Sequence, residues 1–497
     1  MTKRAILVVG ASAALAACSL EPHYVRPAAP VPPRWPAGDA YLRQSEAALP
    51  SVDYREVFKD PRLQEVIVQA LQNNRDLRVA VADIEQARAQ YRVQHADLFP
   101  EIDADAQASF RGGGSKRAST SGTGTGSGGS STASHTYTAD VGTSAFEIDL
   151  FGRVRSLSHA ALDQYFASEA GARATRLTLV GEVATAWLTY AADKSLLKIA
   201  QDTAANAEQS VKLTRERVNG GIAPRTDLRQ AQTVLDTAQS DVAQQTTLLA
   251  QDVNALQLLV GAPIDTALLP ESIESVAGSL GEVPAGLQSS ILLRRPDVVE
   301  AEYQLRSANA QIGAARAELF PRITLTGLAG FASTALSSLF TGGAFNWSVS
   351  PSVSYPIFRA GAGRATVAAS EAAKKAALAT YEKAIQSAFR DVADALARRG
   401  TIDAQATADR NNVAHSLDNY QLSNARYLGG IDTYLNSLDA QRTLYSAQRN
   451  YVGTELAKAT NLVDLYTALG GDATLEATAN GPRPSASEPQ GSPIPNG

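Results

Sequence analysis

Ala96-Asp97-Leu98-Phe99-Pro100-Glu101-Ile102 returns later in the chain as Ala317-Glu318-Leu319-Phe320-Pro321-Arg322-Ile323, 221 positions on (317 against 96). In both copies a helical pattern stops at Phe-Pro, because proline lacks the amide a helix interior needs and pushes its predecessor toward extended backbone. Beyond the break the period changes. Ile102, Ala104, Ala106, Ala108 and Phe110 alternate with Asp103, Asp105, Gln107 and Ser109, an apolar face against a strongly polar one. After the second copy, Ile323 to Phe331 reads as a strand, and Phe345, Trp347, Val349, Val353 and Tyr355 share one face of another running to Tyr355. A helix-to-strand switch written twice predicts a tandem repeat.

Working outward, Arg217, Gly220-Gly221-Ile222, Ala231-Gln232 and Leu235 recur as Arg426, Gly429-Gly430-Ile431, Ala440-Gln441 and Leu444, an offset of 209 (430 against 221). The drop of 12 (221 against 209) reflects a shorter second strand–loop–strand excursion. In the first copy that excursion carries a Gly/Ser/Thr-rich loop, Gly112 to Ser134; alternation resumes at Thr136 to Val141 and closes in the turn Asp149-Leu150-Phe151-Gly152. Arg153 to about Val218 then holds no proline and two glycines, which predicts a helix of about 100 Å at 1.5 Å per residue. Asn219-Gly220-Gly221 ends it, and a second helix runs from Thr226 to Val260, stopping at Gly261-Ala262-Pro263. Both are rich in Ala, Gln, Thr and Ser. A globular core needs more large apolar residues, whereas small residues suit close side-by-side helices in an assembly.

Each half therefore reads short helix, strand, polar loop, strand, very long helix, helix. The first repeat spans 60–283, with strands within about 99–149 and long helices over 153–260; the second spans 284–470, with strands within about 320–358 and long helices over 363–468. Asp60 and Pro61 predict the first helix start, with Leu63, Val66, Ile67, Ala70 and Leu71 on one face. Residues 471–497 read as a disordered tail, and the prolines from Pro22 to Pro36 make 18–59 an extended strap.

Residues 1–17 read as a signal peptide: Lys3-Arg4, an apolar run from Ala5 to Ala14, then Leu15-Ala16-Ala17. Removing them takes the formal charge from −5 to −7, since Lys3 and Arg4 leave and no acid goes with them. The one cysteine, Cys18, excludes internal disulfides and cysteine metal sites. Leu15-Ala16-Ala17-Cys18 resembles the bacterial lipobox, which would make Cys18 the acylated N-terminus; Ser19 in place of aspartate implies onward sorting to the outer membrane. An incidental cysteine after a plain signal peptide is the alternative.

Four strands of about ten residues suit tilted crossings of a bilayer. Open edges are not tolerated in hydrocarbon, and known barrels start at about eight strands, so several copies must share one barrel. Two soluble hairpins capping a coiled coil are the competing reading.

Further stretches carry a family resemblance: Pro22-His23-Tyr24-Val25-Arg26-Pro27, Asp60-Pro61-Arg62-Leu63, Asn74-Arg75-Asp76-Leu77-Arg78-Val79-Ala80, Arg294-Arg295-Pro296-Asp297, Tyr381-Glu382-Lys383-Ala384-Ile385-Gln386, Leu438-Asp439-Ala440-Gln441-Arg442 and Leu465-Tyr466-Thr467-Ala468-Leu469-Gly470-Gly471. Together they resemble the TolC-type outer-membrane efflux proteins, in the lipoprotein (OprM or NodT-like) branch. The resemblance implies a mostly α chain with membrane β. Three copies would form a homotrimer with a 12-stranded β-barrel continued by a long periplasmic α-helical barrel. It implies as partners outer-membrane lipid, a periplasmic membrane-fusion adaptor and an inner-membrane pump of the resistance-nodulation-division (RND) type. It also implies a periplasmic gate: Leu435, Asp439 and Arg442, with Tyr427 before the Gly429-Gly430 break and Asp227 as a weaker member. Leu435 and Asp439 stand one turn apart, so symmetry copies would stack an apolar ring beside an acidic one. A solvated Asp439–Arg442 pair remains the alternative.

Enzyme chemistry finds no support. His23, His95, His135, His159 and His415 show no metal-ligand spacing, and Gly112-Gly113-Gly114 lacks the lysine-bearing helix start of a phosphate loop. No cofactor or metal is expected, and the acidic balance gives no reason for a nucleic-acid partner. The expected function is the exit duct of a tripartite efflux pump for drugs or other small solutes. The alternative is the duct of a type I protein-secretion system; a passive porin would have many strands and no long helices.

Overall fold

The computed structural model describes residues 19–38, 40–41, 53–111, 134–281, 288–475, 477–478 and 481–482. The expected signal peptide, Cys18 and most of the Gly/Ser/Thr-rich loop lie outside them. α1 (Pro61–Asn73) begins with the Asp60 carboxylate accepting the Arg62 amide at 2.8 Å. Asn74 then caps α2 (Arg75–Ala96), its side-chain oxygen accepting from the Leu77 amide at 2.8 Å. After the Phe-Pro break come β1 (Asp103–Arg111) and β2 (Ser134–Glu147), then α3 (Arg153–Asn219) and α4 (Arg225–Val260). The second half supplies α5 (Pro296–Ala317), β3 (Arg322–Ser333), β4 (Phe345–Ser354), α6 (Ala362–Leu428) and α7 (Tyr434–Ala468).

The repeat is visible in backbone detail. α3 and α6 are both 67 residues long. Each ends in the same turn: Gly221 and Gly430 take φ of +73° and +70°, and the amides of Ile222 and Ile431 bond back to Arg217 and Arg426 at 2.9 Å. A side chain in that left-handed conformation would cost roughly 1 kcal/mol or more, which is why glycine stands there twice. One difference separates the halves. Where α1 would recur, the described residues of the second half include the tight turns of Ser289–Arg294.

The four long strands form one antiparallel sheet in the order β1-β2-β3-β4, so β2 and β3 join the two halves and β1 and β4 are left as edges. The register aligns the alternation across all four. Ala106, Ala139, Phe331 and Phe345 lie in one row, and Asp105, Asp140, Gly330 and Asn346 in the next. One face is thus apolar from edge to edge and the other polar. A bulge between Thr143 and Phe146, with Ala145 at φ +56°, bends β2 near its end.

The main core sits midway along the helices, around Trp187, Leu188, Tyr381, Tyr466, Phe58, Ile273 and Leu292. The strap lies extended along α5. Asn309 donates to the Pro22 carbonyl at 2.7 Å, Ser289 to Pro32 at 2.6 Å, and Trp35 packs against Phe389 at 5.2 Å. Its strongest tie is buried: Arg26 pairs with Glu302 at 2.6 Å, where Glu302 is fully inaccessible. The tail expected to begin at 471 stays packed as far as Leu475. Asp472 pairs with Arg176 at 2.7 Å, and the Leu475 amide bonds to the Arg294 carbonyl at 2.9 Å. Among the described residues no helix is long and apolar enough to cross a membrane.

Candidate functional site

The turns at Gly220-Gly221 and Gly429-Gly430 meet side by side, a helix length away from the sheet. Ala207, Val211, Ala231 and Val234 of α3–α4 bury themselves against Tyr427, Tyr434 and Leu438 of α6–α7. The rings of Tyr427 and Tyr434 stand 5.1 Å apart. Burial, with Tyr427 close by, pushes the Tyr434 phenol up to about 12. The Arg217 guanidinium lies 4.6 Å over the Tyr427 ring and donates to the carbonyls of Tyr427 and Leu428 at 3.4 Å. Those carbonyls are the last of α6, where a cation is favoured, and that of Tyr427 also accepts the Gly430 amide at 3.0 Å.

Leu435 and Asp439 lie one turn apart on α7 and are both open to solvent, Leu435 at 55%. Arg442 turns toward the first repeat instead, lining a cavity of about 80 Å³ with Thr203, Val234 and Tyr445. Among the described residues neither Asp439 nor Arg442 forms an ion pair within 4 Å, so the i,i+3 contact between them is not made within one chain. Tyr427 is buried between the two tips at 5% exposure, and Asp227 is half-buried in the first turn of α4, near enough to Tyr434 to act on its phenol. Leu435 and Asp439 thus form the open face, with Tyr427 behind it.

Three contacts escape a reading of the sequence. Arg217 locks one tip to the other. Arg426 pairs with Asp432 at 3.3 Å, and Asp432 in turn accepts the Thr433 amide at 2.8 Å. Farther along, the Tyr445 hydroxyl donates to Asp241 at 2.6 Å, tying α7 to α4. The repeat alignment does place Arg217 opposite Arg426, but equal positions do not reveal that one bonds across the tips and the other within its own.

Among the described residues no group of three or more histidine, cysteine or carboxylate side chains could hold a metal. What the paired helix tips offer is steric and electrostatic: an open face carrying Leu435 and Asp439 over a buried Tyr427.

The family model described as outer membrane efflux protein matches residues 66–262 and 287–471, one segment for each half. The antibiotic efflux pump outer membrane protein ArpC of Pseudomonas putida is 43% identical over 473 residues, covering 95% of this chain and 96% of that one. Outer membrane protein OprJ of Pseudomonas aeruginosa is 40% identical over 457 residues, covering 92% and 93%. Among solved structures, the open state of the Neisseria gonorrhoeae MtrE outer membrane channel aligns at a TM-score of 0.80 with 35% identity, covering 92% of this chain and 99% of that one. Similarity spanning both repeats, the paired tips and the four-stranded sheet leads to one assignment: the chain belongs to the outer membrane efflux protein family of TolC type, an outer-membrane channel and not an enzyme.

Proposed function

We propose that this chain is the exit duct of a tripartite efflux pump, working as a trimer. The observation that carries this is the four-stranded sheet. It is apolar on one face, polar on the other, and open at β1 and β4. Edges of that kind must be paired in hydrocarbon, and three copies would close twelve strands (three times four) around a polar bore. The helices carry the bore on into the periplasm and narrow it at the tips, where copies of Leu435 and Asp439 form the gate and Tyr427, Arg442 and Asp227 brace it. A periplasmic adaptor docks there, and an inner-membrane RND pump supplies the energy that no motif in this chain can.

Cys18 carries the lipid. In support, Glu21, three residues after it, packs on Gly313, nine residues before the first barrel residue of β3, so the strap begins near the level at which the barrel does. The relatives' names speak of antibiotic and toluene efflux, which favours small solutes over secreted proteins. The test is complementation. Expressed in a cell with an intact adaptor and pump but no duct, the protein should restore antibiotic resistance; normal insertion in the outer membrane without restored export would contradict the reading.

A further inference from the structure

A recess of about 980 Å³ opens where α7 ends and α5 begins, walled by α3 on one side and α6 on the other. Its walls use Thr178, Glu182 and Thr185 of α3 and Asp394 and Arg398 of α6. These positions lie opposite the helix faces that bury Val180, Ala184 and Trp187, and Ile385, Val392 and Leu396, in the core. If the core side is the outside of the tube, the recess opens on the bore; the inference rests on the duct reading to that extent.

The floor is apolar, built from Leu177, Ala395, Val463 and Ala468. Carboxylates stand above it on every wall. Two are matched within the recess: Asp297 by Arg295 at 2.8 Å and Asp391 by Arg390 at 2.7 Å. Glu182 of α3, Asp394 of α6 and Asp464 of α7 are open to solvent and, among the described residues, form no ion pair within 4 Å. Against those three carboxylates the recess offers Arg398, which bonds to the neutral Gln405 at 3.0 Å, and Arg390, which is bonded to Asp391 and near enough to act on Asp394. Asp464 is accessible yet crowded by protein, and that crowding raises its carboxyl above the ordinary range. Its ionised form is therefore under-solvated where a visiting cation could relieve it.

We propose that this recess is a way station for bulky organic cations, with apolar groups on the floor and the positive centre among Glu182, Asp394 and Asp464. The volume suits a drug-sized molecule, and one carboxylate from each of three helices surrounds a diffuse charge better than any single ion pair would. Anions of the same shape meet an excess of like charge and are turned away.

Equilibrium dialysis of tetraphenylphosphonium against the full-length protein in detergent, corrected for empty micelles, tests this, with tetraphenylborate as the anion of matching shape. Binding near one cation per chain is expected, with tetraphenylborate left unbound. The triple variant E182Q/D394N/D464N should bind the cation at least about five-fold more weakly, equivalent to about 1 kcal/mol. Equal binding by parent and triple variant, or binding of tetraphenylborate as tight as that of the cation, overturns the proposal. All three positions are exposed, so the variant should assemble; if it does not, D464N alone gives the reading, with weakening expected and unchanged binding refuting. Single-channel conductance of the same samples separates the two levels. A conducting protein that ignores the cation sinks the recess and leaves the duct standing.

Discussion

Arg217 shows how much at the tips depends on single side chains. It holds the Tyr427 ring and two terminal carbonyls of α6 at once, while Asp439 and Arg442 have no ion-pair partner within their own chain among the described residues. In the proposed trimer, three copies of Asp439 around one axis would repel unless cations from neighbouring copies answer them. Replacing Asp439 and Arg442 together by Ala should therefore raise single-channel conductance in planar bilayers and leave assembly intact; conductance equal to the parent's would put the constriction elsewhere. At the other end of the molecule, burial pushes the Asp163 carboxyl up to about 7, with Arg306 opposing and Glu21 reinforcing. The unfolded chain releases that proton near the usual Asp range, so the folded state holds an extra proton between there and about 7, and stability falls as pH rises through that window. Asp163→Asn should flatten the difference in melting midpoint between pH 5 and pH 8; an unchanged difference would assign it to other groups. Replacing Cys18 by Ser should abolish lipid labelling and leave an uncleaved or weakly anchored precursor, and normal labelling would refute the anchor.

At the scale of elements, legibility follows the range of the interactions. Helix ends could be read because local chemistry sets them: glycine for the left-handed turns after α3 and α6, proline for the breaks after α2 and α5, Asp60 for the cap of α1. The strand faces could be read because alternation is a two-residue rule. The strap's hold could not. Arg26 and Glu302 are 276 residues apart, and nothing local to either announces a buried pair. The packed stretch from Gly471 to Leu475 escaped for the same reason, its partners Arg176 and Arg294 lying far back in the chain. At the tips, where the gate is proposed, the shared face of Leu435 and Asp439 followed from spacing, while the inward turn of Tyr427 depended on a neighbouring hairpin. The buried pair gives a sharp test. Arg26→Ala strands a buried carboxylate and should cost about 3–5 kcal/mol, whereas Arg26→Leu with Glu302→Leu removes both charges and should cost far less. Denaturation midpoints in detergent compare them; equal losses would mean that the strap is held by its shape and not by this pair.

For the whole molecule, the central claim is that one chain is an unfinished object. Its sheet has two open edges and a lipid-compatible face that no fold of four strands can close. Its small-residue helices expose polar faces along their length, and its tips pack in pairs that leave Leu435 and Asp439 facing away from their own chain. In the proposed duct, further copies complete it. Native mass measurement of the detergent-solubilised protein tests this most directly: the account predicts three chains per assembly, and a stable folded monomer, or an assembly whose strand count cannot close a barrel, would contradict it.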